Sequence, residues 1–141
     1  MALDPIQARL TRGDIILLDG AMGTELERLG VSTSLPLWSA QALLDAPDKV
    51  REVHETYIQA GADVITSATF RTTPRSLKKA GLEVEADRLT TLAVDLAKQA
   101  RDRVAGGRDV RVAGSMAPLE DCYRPERSPA APDADSSCEI Q

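Results

Sequence analysis

Aromatic side chains are scarce in this sequence, at 3% of 141 residues, so a core must be built mainly from aliphatic residues within the 43% hydrophobic fraction. Long apolar runs are also absent. No stretch reaches the roughly 18 residues that a membrane-spanning helix needs, so no membrane span is predicted. The net charge of −5 argues against the clustered basic surface of a nucleic-acid-binding protein.

The sequence also has few cysteines and shows no recognisable secretion signal. The two cysteines, Cys122 and Cys138, are too few for a disulfide framework, and their spacing matches no zinc motif. We interpret them as free thiols in a reducing compartment. The N-terminus lacks the basic and apolar segments of a secretory signal. These features together predict a cytoplasmic protein.

Apolar periodicity predicts strands that alternate with helices. Short apolar runs bounded by turn residues predict strands at residues 15–18, 63–66 and 110–114. The first of them has the continuous apolar character of a strand buried on both faces. Helical spacing, with Gly and Pro at the ends, predicts helical segments at residues 3–13, 25–29, 41–44, 45–60, 73–80 and 84–104.

This order predicts an α/β fold with parallel strands and helical crossovers. Barrels and doubly wound sheets share the pattern, so it does not separate them. Leu77 and Ala80 are expected to face inward, as is the apolar stripe of the long helix from Leu89 to Ala100. Residues 126–141 are rich in Pro, Ser, Ala and acids without apolar periodicity, which predicts a disordered tail after a domain of residues 1–125.

The turn after the first strand, residues 19–24, is a candidate binding site. Ligands of parallel α/β proteins bind at the carboxyl ends of the strands. Gly20 would let the backbone approach a ligand closely, and the carboxylate of Asp19 would attract an ammonium group. A free amino acid carries both charges and would suit this turn. Alternatively, Asp19 caps the following helix, and the spacing alone does not decide.

The turns after the other two strands carry further polar groups. After the second strand, the hydroxyl of Thr69 could donate to a substrate carboxylate, or it could serve as a turn or cap hydrogen bond. After the third, Glu120, Asp121 and Cys122 are adjacent in sequence and do not converge as metal ligands. No metal-binding residue is predicted.

Three stretches of the sequence, taken in order, resemble the first three β/α units of the homocysteine S-methyltransferase family: residues 17–26, 61–75 and 112–125. Residues 36–40 and 53–63 are also similar to that family. The resemblance implies the N-terminal portion of a homocysteine-binding domain, an incomplete (β/α)8 TIM barrel with parallel strands. Members of the family transfer a methyl group to the sulfur of homocysteine and form methionine, with a zinc ion that binds the thiol as thiolate.

The resemblance also implies roles for individual residues. Asp19 and Gly20 match the substrate-binding turn, and Thr69 matches a threonine of the family. The zinc ligands of the family are cysteines of later strands, including a Gly-Gly-Cys-Cys segment that is absent here, and neither Cys122 nor Cys138 matches one. No catalytic or metal residue is therefore expected in this chain.

We therefore expect a truncated homocysteine S-methyltransferase that does not catalyse the reaction alone. Its expected partners are homocysteine, a methyl donor that the sequence does not identify, and a complementary C-terminal half or a second copy. Three parallel strands cannot close a barrel, and their edges would remain open. The alternatives are a non-enzymatic amino-acid-binding module and a subunit of a split barrel.

Overall fold

The computed structural model describes residues 4–118, 123, 124 and 126 of the chain. Its elements are α1 Pro5–Thr11, α2 Met22–Arg28, α3 Gln41–Asp45, α4 Pro47–Gln59, β1 Val64–Thr66, α5 Pro74–Leu77, α6 Ala86–Val104 and β2 Arg111–Ala113, with short 3-10 turns at Trp38–Ala40, Lys78–Ala80 and Glu83–Glu85. Each predicted helical segment is confirmed with small shifts at its ends. No helix of this part of the chain is long and apolar enough to cross a membrane.

Strands β1 and β2 form a parallel pair, as predicted, with Ile65 opposite Val112 at the centre. The connection between them contains α5 and α6, because parallel neighbours require a long crossover. Ile65 is fully buried between the strands and the helices. The pair places the ends of both strands, and the turns that follow them, at one edge of the sheet.

The first predicted strand is present only as an extended segment beside β1. Leu18 makes one isolated parallel bridge to Val64, and the carbonyl of Leu17 accepts from the Val64 N–H at 3.1 Å. The prediction of three β/α units is thus not confirmed. The expectation of burial is wrong, because Ile15, Leu17 and Leu18 are 78%, 52% and 70% exposed. The described residues pair this segment with β1 on one side and leave its other side uncovered.

Helices α4 and α6 pack against each other and against the sheet to form the core. The predicted stripe of α6 is confirmed, since Leu89 and Ala100 are fully buried. Leu77 is buried as expected, but Ala80 is exposed. Ala80 is the last residue of the following 3-10 turn, directly before Gly81, whose left-handed backbone (φ 69°) ends the helical segment, and the described residues leave it uncovered.

An ion pair ties helix α1 to the amino end of β1. The guanidinium of Arg9 donates to the carboxylate oxygens of Asp63 at 2.8 and 3.3 Å and to the carbonyl of Ile15 at 3.1 Å. Asp63 also accepts from the Leu17 N–H at 2.9 Å. The bonds from Arg9 and then from Leu17 lower the pKa of Asp63. These contacts hold the first segment against β1 at the edge opposite the candidate site.

Candidate functional site

Asp19 binds the end of the neighbouring strand and does not cap a helix. Its Oδ2 accepts from the Thr66 N–H at 2.7 Å, and its Oδ1 accepts from the Thr66 hydroxyl at 3.0 Å. Helix α2 begins at Met22, and its N-cap residue, Ala21, makes no side-chain capping bond. The capping alternative for Asp19 is therefore excluded. An ionised carboxylate has about four acceptor positions, so this half-buried group keeps capacity for a further donor.

Gly20 packs against Tyr57, a residue of helix α4 that also contacts the first turn through Ala21. A Cβ at Gly20 would lie 2.7 Å from the Tyr57 hydroxyl oxygen, so a larger residue would collide with it. The Tyr57 hydroxyl donates to the Ala21 carbonyl at 3.1 Å. Burial, then the charges of Glu25 and Asp19, raise the pKa of Tyr57, which keeps the phenol protonated as a donor. Close packing thus explains why glycine occupies this position.

His54 lies one helical turn before Tyr57 and is completely buried. Neither ring nitrogen has a hydrogen-bond partner among the described residues. Burial lowers the pKa of His54 to about 4, while the negative charge of Asp19 acts in the opposite direction. The imidazole is therefore neutral at pH 7. In the sequence, His54 lies four residues after Val50 and four before Ile58, a helical spacing that puts it on the same face as these two apolar residues.

Thr69 joins the second and third turns. Its hydroxyl donates to the Ser115 carbonyl at 2.8 Å and accepts from the Ser115 N–H at 2.9 Å. Nearby, the Ser67 hydroxyl donates to the Ala113 carbonyl at 3.1 Å. Thr69 is largely buried, and its one proton is directed at backbone in this arrangement. Donation from Thr69 to a substrate carboxylate stays a prediction.

The three turns are thus linked along one edge of the sheet. The first is bonded to the second through Asp19 and Thr66, and the second to the third through Ser67 and Thr69. Asp19, Gly20 and Thr69 were predicted to lie at this edge, and the structure brings their turns together. Thr66 and Tyr57, which make the contacts to the first turn, were not predicted as site residues. The only local sign of a role for Thr66 was its hydroxyl, which follows directly after the two apolar strand residues Val64 and Ile65.

Two open cavities border this region without including Asp19 or Gly20. One, of about 1250 Å³, lies between the third turn and helices α5 and α6, and Thr69 and Ser115 contribute to its wall. The other, of about 540 Å³, is lined by Trp38, Arg71 and Tyr123, among others, with the Arg71 guanidinium 5.6 Å from the Trp38 ring centroid. The bonded turns, and not these cavities, form the candidate site, because cavity size alone does not determine which ligand is bound.

The part of the chain that the structure describes contains no group of three His, Cys, Asp or Glu side chains that could hold a metal ion. Cys122 and Cys138 lie outside the described residues, as do Glu120 and Asp121. The described side chains therefore do not fit the zinc ion that the resemblance implies, and no chemical step is assigned to a metal here.

Comparison with known proteins gives a consistent result. The family model for homocysteine S-methyltransferase matches residues 16–140. The chain is 44% identical over 101 residues to homocysteine S-methyltransferase YbgG of Bacillus subtilis, covering 71% of this chain and 32% of that protein. It is 39% identical over 120 residues to homocysteine S-methyltransferase of Escherichia coli, covering 82% of this chain and 39% of that one.

A solved structure also matches the whole described fold. The homocysteine methyltransferase MmuM of Escherichia coli, in a metallated form, superimposes with a TM-score of 0.81 and 32% identity. The match covers 97% of this chain and 53% of that chain. The chain therefore spans between about one third and one half of the length of these relatives.

Proposed function

Since the chain belongs to the homocysteine S-methyltransferase family, we propose that it forms the part of such an enzyme that binds the amino-acid end of homocysteine. The observation that supports this most directly is the Asp19 carboxylate, held by Thr66 at the carboxyl edge of the sheet. Asp19 binds the substrate ammonium and the Gly20 backbone binds its carboxylate. The Thr69 hydroxyl donates to the same carboxylate after turning its proton away from the Ser115 carbonyl. No residue that holds zinc is included among the described residues.

The whole reaction transfers a methyl group from a donor to the homocysteine sulfur. The homocysteine thiol gives up its proton to solvent, a new sulfur–carbon bond forms, and the bond between the methyl carbon and the donor breaks, so that methionine and the demethylated donor result. A free thiol has a pKa of about 8.5, so it needs activation near neutral pH. We assign binding and orientation of the amino acid to this chain. The zinc ion that the family resemblance implies would be held by other residues of a barrel and would supply thiol activation when bound. The reaction would take place in the cytoplasm.

The unpaired edge of residues 15–18 is evidence for a binding partner. Three apolar side chains on this segment are mostly exposed, and an unpaired strand edge favours pairing with another strand. We propose that a complementary C-terminal part of a homocysteine S-methyltransferase barrel pairs with it. The extra length of the relatives would supply such a part. Pairing with a second copy is the competing outcome.

A non-enzymatic amino-acid-binding module is the second candidate. It rests on the same turn, because binding of an amino acid by Asp19 and Gly20 requires no metal. The two candidates share the binding step and differ in whether a complementary part restores methyl transfer.

The experiment measures L-homocysteine binding by the chain and by its Asp19→Asn variant, by NMR titration. Loss of the carboxylate charge should weaken binding about 10- to 100-fold, the size of a hydrogen bond to a charged group. The matched control is Asp95→Asn, on the exposed face of α6, which should bind as wild type does. Equal affinity of all three proteins would contradict the assignment of Asp19.

A second measurement separates the two candidate functions. Methyl transfer to homocysteine from S-methylmethionine, one of the donors that the family resemblance implies, is followed with and without a separately produced C-terminal part of the Escherichia coli relative. Activity that needs both parts, and is lost with Asp19→Asn, supports the methyltransferase. Amino-acid binding without activity in the reconstituted mixture supports the binding module.

A further inference from the structure

Thr66 directs both of its hydrogen-bond donors at the same carboxylate. The N–H reaches Oδ2 of Asp19 at 2.7 Å and the hydroxyl reaches Oδ1 at 3.0 Å. The backbone of Asp19 is fixed as well, because its own N–H donates to the Val64 carbonyl at 3.0 Å. One residue of β1 therefore sets the position and the plane of a carboxylate that precedes Gly20.

We infer that Thr66 is a positioning residue for recognition of the substrate ammonium, an inference that rests on the proposed function. The terminal torsion of an aspartate side chain is broad, so a single bond from the Thr66 N–H would leave the carboxylate free to rotate. The second bond, from the hydroxyl, fixes its plane and leaves the remaining lone pairs directed away from β1. A carboxylate ordered before binding loses less entropy when the ammonium arrives.

A purely structural role for Thr66 is the competing explanation. In that case the hydroxyl joins the first turn to the sheet and affects every ligand of the turn equally. A positioning role affects only ligands that carry the ammonium group. The two explanations are separated by comparing L-homocysteine with 4-sulfanylbutanoic acid, which has the same thiol and carboxylate and lacks the amino group.

The experiment measures dissociation constants for both ligands by NMR titration of wild type, Thr66→Val and Thr66→Ser. Valine keeps the shape of threonine and removes the hydroxyl, whereas serine keeps the hydroxyl. We expect Thr66→Val to bind homocysteine about 3- to 10-fold more weakly, the effect of one lost orienting hydrogen bond, with Thr66→Ser close to wild type. Binding of the amino-free acid should be equal in all three proteins.

Thr56→Val is the matched control, because the Thr56 hydroxyl donates to the Glu52 carbonyl on the exposed side of α4. Urea unfolding of each variant establishes that it is folded, and Thr66→Ala replaces Thr66→Val if the latter is not. Equal weakening of both ligands, or unchanged homocysteine binding by the folded variant, overturns the inference. Absence of homocysteine binding by wild type overturns the proposed function itself, which is a distinguishable result.

Discussion

Mild acid should destabilise this protein through its only histidine. His54 is completely buried, and burial lowers its pKa from the ordinary value of 6.5 to about 4. In the unfolded chain the imidazole titrates near pH 6.5. Between these values the unfolded state binds more protons than the folded state, so the free energy of unfolding falls as the pH falls.

The size of the effect follows from the two pKa values. At about 1.36 kcal/mol per pH unit, the difference between 6.5 and about 4 corresponds to about 3 kcal/mol. This stability is fully present above about pH 7 and is lost progressively as the pH falls through about 4. It is a large share of the 5–15 kcal/mol, roughly, that stabilise a typical domain.

The assay is urea unfolding, followed by circular dichroism, at intervals from pH 7.5 to 4.5. His54→Leu serves as the control, because leucine fills similar space and has no proton to bind, so its stability should change little between pH 7 and 5. The single histidine resonance also titrates directly in NMR. Asp19→Asn should lower that pKa further, because the Asp19 charge opposes the effect of burial. Equal slopes for wild type and His54→Leu would refute the reasoning.

Three further substitutions test the fold and the site by urea unfolding. Ile65→Ala removes a fully buried strand residue and should cost about 2–5 kcal/mol, whereas Val84→Ala, at an 86% exposed position, should stay within about 0.5 kcal/mol of wild type; similar losses would contradict the core assignment. Gly20→Ala places a methyl group 2.7 Å from the Tyr57 hydroxyl and should lower the free energy of unfolding by about 1–3 kcal/mol. Adding Tyr57→Phe should recover part of this loss. The control is Gly23→Ala, whose added methyl has its nearest neighbour at 3.9 Å, and it should be neutral or slightly stabilising. Asp63→Asn should remove a stability increment that wild type has above about pH 4 and loses at lower pH, because the Asp63 pKa is lowered in the folded state; an unchanged acid profile would contradict it.

The two longest helices, α4 and α6, could be predicted because each buries its apolar face against other described residues. In α6, Leu89 and Ala100 lie on the stripe that helical spacing defines, and the described neighbours cover that stripe. Ala80 shows the limit of the method. Helical spacing places Ala80 one turn after Leu77, but Ala80 ends the helical segment beside Gly81, and spacing does not show that no described neighbour covers it there.

The first strand could be predicted in position but not in burial. The apolar run at residues 15–18 is typical of a strand covered on both faces, and it does lie parallel to β1 through Leu18. Whether an apolar residue is buried depends on what packs against it. An apolar run predicts that other residues cover the segment, but it does not identify which part of a protein provides those residues.

The candidate site shows the same division between position and pairing. Asp19, Gly20 and Thr69 could be placed at one edge because the carboxyl ends of parallel strands coincide. Their partners could not, because Asp19 and Thr66 are 47 residues apart, and Tyr57 bonds across 36 residues. The hydroxyl of Thr69 likewise pairs with Ser115, 46 residues away. Spacing predicts which residues share an edge, and only the folded chain determines which of them bond.

Helix α4 links the stability of the protein to the charge of its candidate site. Tyr57 supports the turn that contains Gly20, and His54, one helical turn earlier, lies within the electrostatic influence of Asp19. A neutral His54 leaves the negative charge of Asp19 uncompensated from this side. Protonation of His54 would place a positive charge near the carboxylate and reduce its attraction for an ammonium group. If Asp19 binds the substrate ammonium, affinity for homocysteine and the free energy of unfolding should therefore both decline more steeply in wild type than in His54→Leu as the pH falls toward 4.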